Sequence, residues 1–279
     1  MRIAAHTIAF PDADLDTAVA ACSAMGFDGL EILIDADYPC AVAPRSAASR
    51  LATVRRLLDA AGLPCVEVGP YVRTLDDLDD ATRAVALEDA EDAIRIAAAL
   101  GAGGVRMLAG RRDDLLPERR RERFLSSLRR LAAAADAAGV RLDIETKGWS
   151  FAYDAVATAN LVDEVDRTVV GVLLDPANLV MDGVDPVATV TLLGERVHHV
   201  HAKDVRRSAA GWFPCRAGDG VVPWSAVFGA LRGAGYGGDV SLEYERRWHP
   251  ASLPAAPAGT AHELAWFRAA ATIGPEGLR

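Results

Sequence analysis

Val197-His198-His199-Val200-His201-Ala202-Lys203-Asp204 places three imidazoles on what reads as one short buried strand with a polar exit. Side chains alternate along a strand, so His199 and His201 share one face while His198 and Val200 take the other. Each buried imidazole needs partners for its ring nitrogens, and a core strand rarely supplies so many. His198 and His199 are read as hydrogen-bonded core residues. His201, last before the Lys203-Asp204 exit, is read as a metal ligand.

Outward from this strand, the same unit recurs. Apolar strands are expected at 2–8, 29–34, 65–68, 104–108, 140–146, 169–175, 197–202 and 239–244. Helices are expected at 15–25, 46–61, 82–100, 117–138, 154–165, 186–193, 224–231 and 260–271, and Gly26, Gly62, Gly101 and Gly139 stop the helices that precede them. The stretch from Lys203 to Pro223 reads as a long glycine-rich loop. Arg119, Arg120, Arg121, Arg129 and Arg130 are assigned to the solvated face of the 117–138 helix.

Eight strands alternating with eight helices require parallel strands and right-handed crossovers, which a closed ring accommodates better than an open sheet. No Gly-x-Gly-x-x-Gly lies between the first strand and helix, so the dinucleotide-binding fold lacks its signature. The expected fold is α/β, a single (β/α)8 TIM barrel forming one domain over 1–279.

The 279 residues, about half of them hydrophobic, suit one such barrel, and the net charge of −9 disfavours nucleic acid and anionic membranes as partners. Cys22, Cys40, Cys65 and Cys215 are scattered without a Cys-x-x-Cys pair, no signal-like segment precedes the first strand, and no run reaches the roughly 20 apolar residues of a membrane span. A cytoplasmic protein with reduced thiols is expected.

Active sites of such barrels lie at the C-terminal ends of the strands. Strands five to eight there deliver Glu145, Asp175, His201 and Glu243 in succession. Three converging carboxylates repel one another and resist desolvation, which a divalent cation relieves. Three oxygens and one imidazole suit Mn2+, Mg2+, Co2+ or Zn2+ without choosing sharply among them, and Mn2+ is taken as the expected ion.

These residues carry a resemblance over essentially the whole chain. Gly26-Phe27-Asp28-Gly29-Leu30-Glu31, Glu145, Asp175-Pro176-Ala177-Asn178, His199-Val200-His201-Ala202-Lys203-Asp204, Gly218-Asp219-Gly220 and Glu243 resemble the xylose isomerase-like superfamily of sugar phosphate isomerases and epimerases. The resemblance implies that Glu145, Asp175, His201 and Glu243 bind metal, and that Glu145 and Glu243 form the acid/base pair, as in the ketose 3-epimerases, of a sugar isomerase or epimerase acting through an enediolate. A small sugar or polyol is then the substrate. Homodimers or homotetramers are frequent in the superfamily, although no stretch here specifies an interface. If loss of a hydroxyl follows proton removal, the same site is a dehydratase of the inosose or dehydroshikimate type.

The chain departs from the epimerase pattern at Asn178, where a substrate-touching histidine is frequent; asparagine bonds a hydroxyl but carries no proton near neutral pH. The abasic-site endonucleases of the superfamily need further histidines for three zinc ions, and 66–71 and 105–110 contain none. A sugar-binding barrel without chemistry is the remaining rival, and it predicts missing ligands. Lys147, Trp149, Lys203, Arg216, His6 and Asn178 are the candidate substrate-binding residues. Lys203 has a salt bridge to Asp204 as its structural alternative, and Glu31 and Glu67 are read as pocket-lining or structural.

Overall fold

Glycine and aspartate set most helix boundaries. Asp14, Asp79 and Asp154 accept the N–H of Thr17, Thr82 and Ala157 at 2.8, 2.7 and 2.8 Å, the N-cap arrangement. Gly26 and Gly101 follow two helices at φ 85° and 71°, a left-handed conformation that costs a residue with Cβ.

In a computed structural model describing residues 1–112, 115–166 and 168–272, the strands are β1 (Arg2–His6), β2 (Leu30–Ile34), β3 (Cys65–Pro70), β4 (Gly104–Met107), β5 (Arg141–Glu145), β6 (Val170–Leu174), β7 (Val197–Ala202), β8 (Asp204–Ser208), β9 (Gly211–Cys215) and β10 (Asp239–Leu242). β1 to β7 and β10 close into a parallel barrel, β10 lying between β7 and β1. The helices are α1 (Leu15–Met25), α2 (Ala48–Ala61), α3 (Asp80–Leu100), α4 (Pro117–Ala138), α5 (Ala155–Asp163), α6 (Pro176–Met181), α7 (Pro186–Leu193), α8 (Trp224–Gly233) and α9 (Ala258–Thr272); a helix follows each barrel strand, with two, α6 and α7, after β6 and the β8–β9 pair inserted between β7 and α8. The expected (β/α)8 barrel is present, and residues 273–279 of the expected domain lie outside the described residues. No helix among the described residues is long and apolar enough to cross a membrane.

Two local expectations are corrected. Residues 204–215 form the antiparallel hairpin β8–β9, not a loop. Its turn, Ala209-Ala210, carries none of the Asn or Gly signals that mark hairpins. Asp204 anchors its base by accepting backbone N–H groups from Val205, Gly218, Gly220 and Val222 at 2.9–3.2 Å, so it is not the partner of Lys203. The helix α6 was not expected; Asp175 caps it through Asn178 N–H at 3.0 Å, with Pro176 in its first turn.

The arginines of α4 are less free than a solvated face implies. Arg120 reaches buried Asp76 at 3.1 Å, Arg121 meets Glu164 at 2.5 Å and Arg130 meets Glu91 at 2.8 Å. They fasten α4 to its neighbours.

After β9, Ala217 donates its N–H to Glu263 of α9 at 2.9 Å. Burial pushes the Glu263 carboxyl up to about 7 against that bond. A carboxyl whose pKa rises on folding resists ionisation in the native state, so its contribution is complete below the unfolded value near 4.5 and is lost as pH rises through 7. Glu263→Gln keeps the acceptor oxygen and removes the titration. Thermal denaturation should show the variant stabilised by roughly 3 kcal/mol at pH 8 and little changed at pH 4.5. Equal shifts at both pH values would exclude a buried titrating carboxyl.

Barrel interiors are usually filled by branched apolar side chains; this one is polar throughout its height. Glu67, Asp143, Arg106, Glu31, His199, Ser241 and His201 are all buried. Space for them comes from glycines: a Cβ at Gly104 would lie 2.4 Å from Asp143 Oδ2 and 2.5 Å from Glu67 Oε2. Burial, then Asp143 and Glu31, pushes Glu67 well above the usual carboxylate range. His198 bonds Asp143 at 2.9 Å across the space left by Gly171, next to a register shift between β6 and β7, while His199 bonds Ser241 at 2.8 Å. His199 is the expected hydrogen-bonded core residue; His198 is hydrogen-bonded as expected but only half-buried.

Candidate metal centre and active site

At the C-terminal end of the barrel β5 ends on Glu145, Asp175 follows β6, His201 lies in β7 and Glu243 follows β10. One donor atom from each lies within 4.8 Å of the others, and all four residues are buried. Alternation aims Glu145 and His201 inward; the N-cap geometry of α6 turns Asp175 to face them.

Each donor is fixed by neighbours. Asn178 Nδ2 and Lys147 Nζ donate to Glu145 Oε1 at 3.0 and 3.1 Å, and Arg106 Nη1 donates to Glu145 Oε2 at 3.3 Å. Lys203 Nζ lies 2.5 Å from Glu243 Oε2, 3.0 Å from Asp175 Oδ2 and 3.1 Å from Glu245 Oε1. His201 Nε2 lies 2.9 Å from Glu31 Oε2. A carboxylate accepts, so Nε2 carries a hydrogen, and Nδ1 faces the cluster 3.5 Å from Glu243 Oε2, where a bound cation would take the place of its proton.

The electrostatics follow from these contacts. Burial opposes ionisation of Glu145, but Lys147 and Arg106 overcome it and hold the carboxyl down at about 2. Burial likewise opposes ionisation of Glu243, and Lys203 and His201 hold it well below the usual range. Burial opposes a charge on His201, yet Glu31 and Glu243 push its pKa up to about 10. The cluster thus draws a positive charge to the imidazole.

A divalent ion fits this donor set. His201 Nδ1 is buried without a hydrogen-bond partner among the described residues, Asp175 Oδ2 has only the ion pair with Lys203, and both residues belong to the four-donor cluster. Hard oxygens with one imidazole suit Mn2+ or Mg2+, and Zn2+ or Co2+ accept the same set. The Glu31–His201 contact is the carboxylate–imidazole pairing that orients metal-bound histidines. Glu31→Gln should therefore weaken divalent-ion affinity by roughly 10–100-fold. Calorimetric titration with Mn2+ measures it, and unchanged affinity would remove Glu31 from that role.

Above the cluster a cavity of ≈ 270 Å³ is lined by Glu145, Glu243, Lys147 and Trp149, together with Tyr71, Arg73, Arg106, Glu245, Trp248 and His249. Of the expected substrate-binding residues, Lys147 and Trp149 line it. Asn178 and Lys203 instead grip the carboxylates. His6 is buried behind His201, its Nε2 3.4 Å from Glu31 and its Nδ1 accepting the N–H of Ile8, so it does not line the cavity. Arg216 is exposed after the hairpin and bonds His262 at 3.0 Å, so the structure does not bring it to the site. Arg106 is the residue sequence reasoning missed; an arginine inside the apolar strand Gly-Val-Arg-Met was its signal.

The sequence profile described as xylose isomerase-like TIM barrel matches residues 19–270. The chain belongs to that family. Solved structures agree on the fold: D-psicose 3-epimerase from Clostridium cellulolyticum H10, solved with D-tagatose, superposes with a TM-score of 0.80 at 20% identity, covering 97% of this chain and 99% of that one. A 3-keto-D-glucoside 4-epimerase from E. coli gives a TM-score of 0.75 at 19% identity over 96% and 99% of the two chains. Inosose dehydratase from Lacticaseibacillus casei is 26% identical over 141 residues, 45% of this chain and 47% of that protein. The chain spans less than half the length of the curated relatives it matches.

Proposed function

We propose that the protein is a divalent-metal-dependent epimerase or isomerase of a small ketose or related polyol, with Glu145 and Glu243 transferring the proton. The supporting observation is convergence: from β5 and from beyond β10, Glu145 and Glu243 come within 3.3 and 3.8 Å of the same Arg106 Nη1 and line one cavity. Two carboxylates reaching one volume from different strands are what moving a proton between the faces of a carbon requires.

Glu145, Asp175, His201 and Glu243 would hold the ion, which supplies Lewis-acid stabilisation of the negative charge that develops on oxygen as the proton leaves. Lys147, Arg106 and Lys203 favour the carboxylate form of both glutamates, the form the base needs, so the one that acts as acid must take up a proton before turnover. One accepts the proton beside the substrate carbonyl. The other, protonated from solvent in the open cavity, returns one to the opposite face. Asn178 and Lys147 keep Glu145 aimed, and Trp149 and Tyr71 wall the cavity beside it.

A lyase is the second reading, favoured by the partial match to inosose dehydratase; it shares the proton removal and adds loss of a hydroxyl. NMR in D2O with Mn2+ across ketoses, inososes and their acid relatives separates the two. Deuterium entering a carbon beside the carbonyl with all oxygens retained supports the epimerase or isomerase. Loss of water moves the protein to the lyases, and no exchange with any substrate opposes both.

A further inference from the structure

The cavity wall carries more positive charge than its acids can match once an ion is held. Arg106 is 2% exposed and stacks over the Tyr71 ring at 4.5 Å, its Nε without a hydrogen-bond partner among the described residues. Arg73 lies over the same ring at 5.3 Å, exposed at the rim, with no acidic partner among the described residues. Lys147 also lines the cavity, 27% exposed, with Glu145 as its acid. Of the acids that line the cavity, Glu145 and Glu243 are the proposed metal ligands and Glu245 is taken by Lys203.

With Glu145, Asp175 and Glu243 around a divalent ion, the ligand set keeps a single net negative charge, which Arg106, Lys147 and Arg73 together outnumber. A neutral polyol would leave that surplus in a partly enclosed volume, where unpaired charge is costly. Arg106 has Nη1 on Glu145 and Nη2 on the Pro70 carbonyl and adds charge, whereas Arg73 on the same aromatic face keeps a guanidinium fork suited to a planar carboxylate, which it binds through two parallel hydrogen bonds.

We infer that the substrate is an anionic sugar derivative, a polyhydroxy keto acid whose carboxylate lies against Arg73 and Arg106 beside Tyr71, with its carbonyl end toward Glu145 and Glu243. This rests on the proposed sugar chemistry for the site, but it is tested without turnover. Gluconate and D-glucitol are an unreactive matched pair, differing in a carboxylate for a terminal alcohol. Calorimetric titration of the Mn2+-loaded protein should show gluconate binding at least tenfold tighter, with an affinity that falls as salt screens the contact. Arg73→Gln, at an exposed position, should cut that preference at least threefold.

Equal or tighter binding of glucitol, no binding of gluconate, or a preference untouched in Arg73→Gln overturns the inference; in the last case the ion alone holds the carboxylate. The two readings fail separately. Gluconate preference without deuterium exchange in any sugar keeps the anion site and removes the epimerase, whereas exchange in neutral ketoses without gluconate preference does the reverse.

Discussion

Glu243→Gln lowers kcat for epimerisation by about a thousandfold or more at saturating Mn2+, within the range for removing a positioned acid or base. The amide keeps the shape of the side chain and an oxygen for Lys203, which lies 2.5 Å from the carboxylate, so the barrel should fold as before. Lost with the charge are the proposed proton-transfer group on the β10 side and one anionic ligand of the proposed metal centre, hence the saturating Mn2+. Glu145, with its hydrogen bonds from Asn178, Lys147 and Arg106 intact, still serves the other face. The variant should therefore exchange deuterium into one epimer of the substrate while conversion to the other stops, and Glu145→Gln should show the opposite preference. Retention of more than about a tenth of the activity would remove Glu243 from proton transfer.

Lys203→Met has the largest expected effect on stability. The ammonium is 5% exposed and lies within 3.1 Å of Glu243, Asp175 and Glu245. Removing one member of a buried ionic cluster leaves uncompensated charge and costs about 3–5 kcal/mol. For a chain of this size that lowers Tm by about 10 °C in metal-free protein. A divalent ion supplies the missing charge at the same oxygens, so Mn2+ should raise the Tm of the variant more than that of the wild type. An unchanged Tm without metal, or an equal response to Mn2+, would show that Lys203 does not neutralise the ligand carboxylates.

The barrel was legible because its periodic units are regular: α4 and β7 have the bounds that apolar pattern and helix punctuation predict. The hairpin β8–β9 was hidden because its central turn residues are two alanines, with Ser208 and Gly211 absorbed into a glycine-rich stretch, and α6 because Asp175 was read as a strand end and not also as an N-cap followed by a helical first turn. At the site, strand alternation and strand ends were enough to bring Glu145, Asp175, His201 and Glu243 together. Alternation says nothing about reach, however. It could not show that Asn178 turns back to Glu145, that His6 stops behind His201, or that Arg216 leans away to His262. Arg106 escaped notice because a charged residue inside an apolar strand makes sense only when the glutamates it joins are seen across the barrel.

Titration of the purified, metal-stripped protein with Mn2+ by calorimetry bears most directly on the four-ligand centre. One ion per chain should bind, and that site should be lost in both Asp175→Ala and His201→Ala while circular dichroism shows each variant folded. Folded variants that bind Mn2+ as well as the wild type, or a wild-type chain that binds none, would contradict the assignment of these four residues as a metal centre.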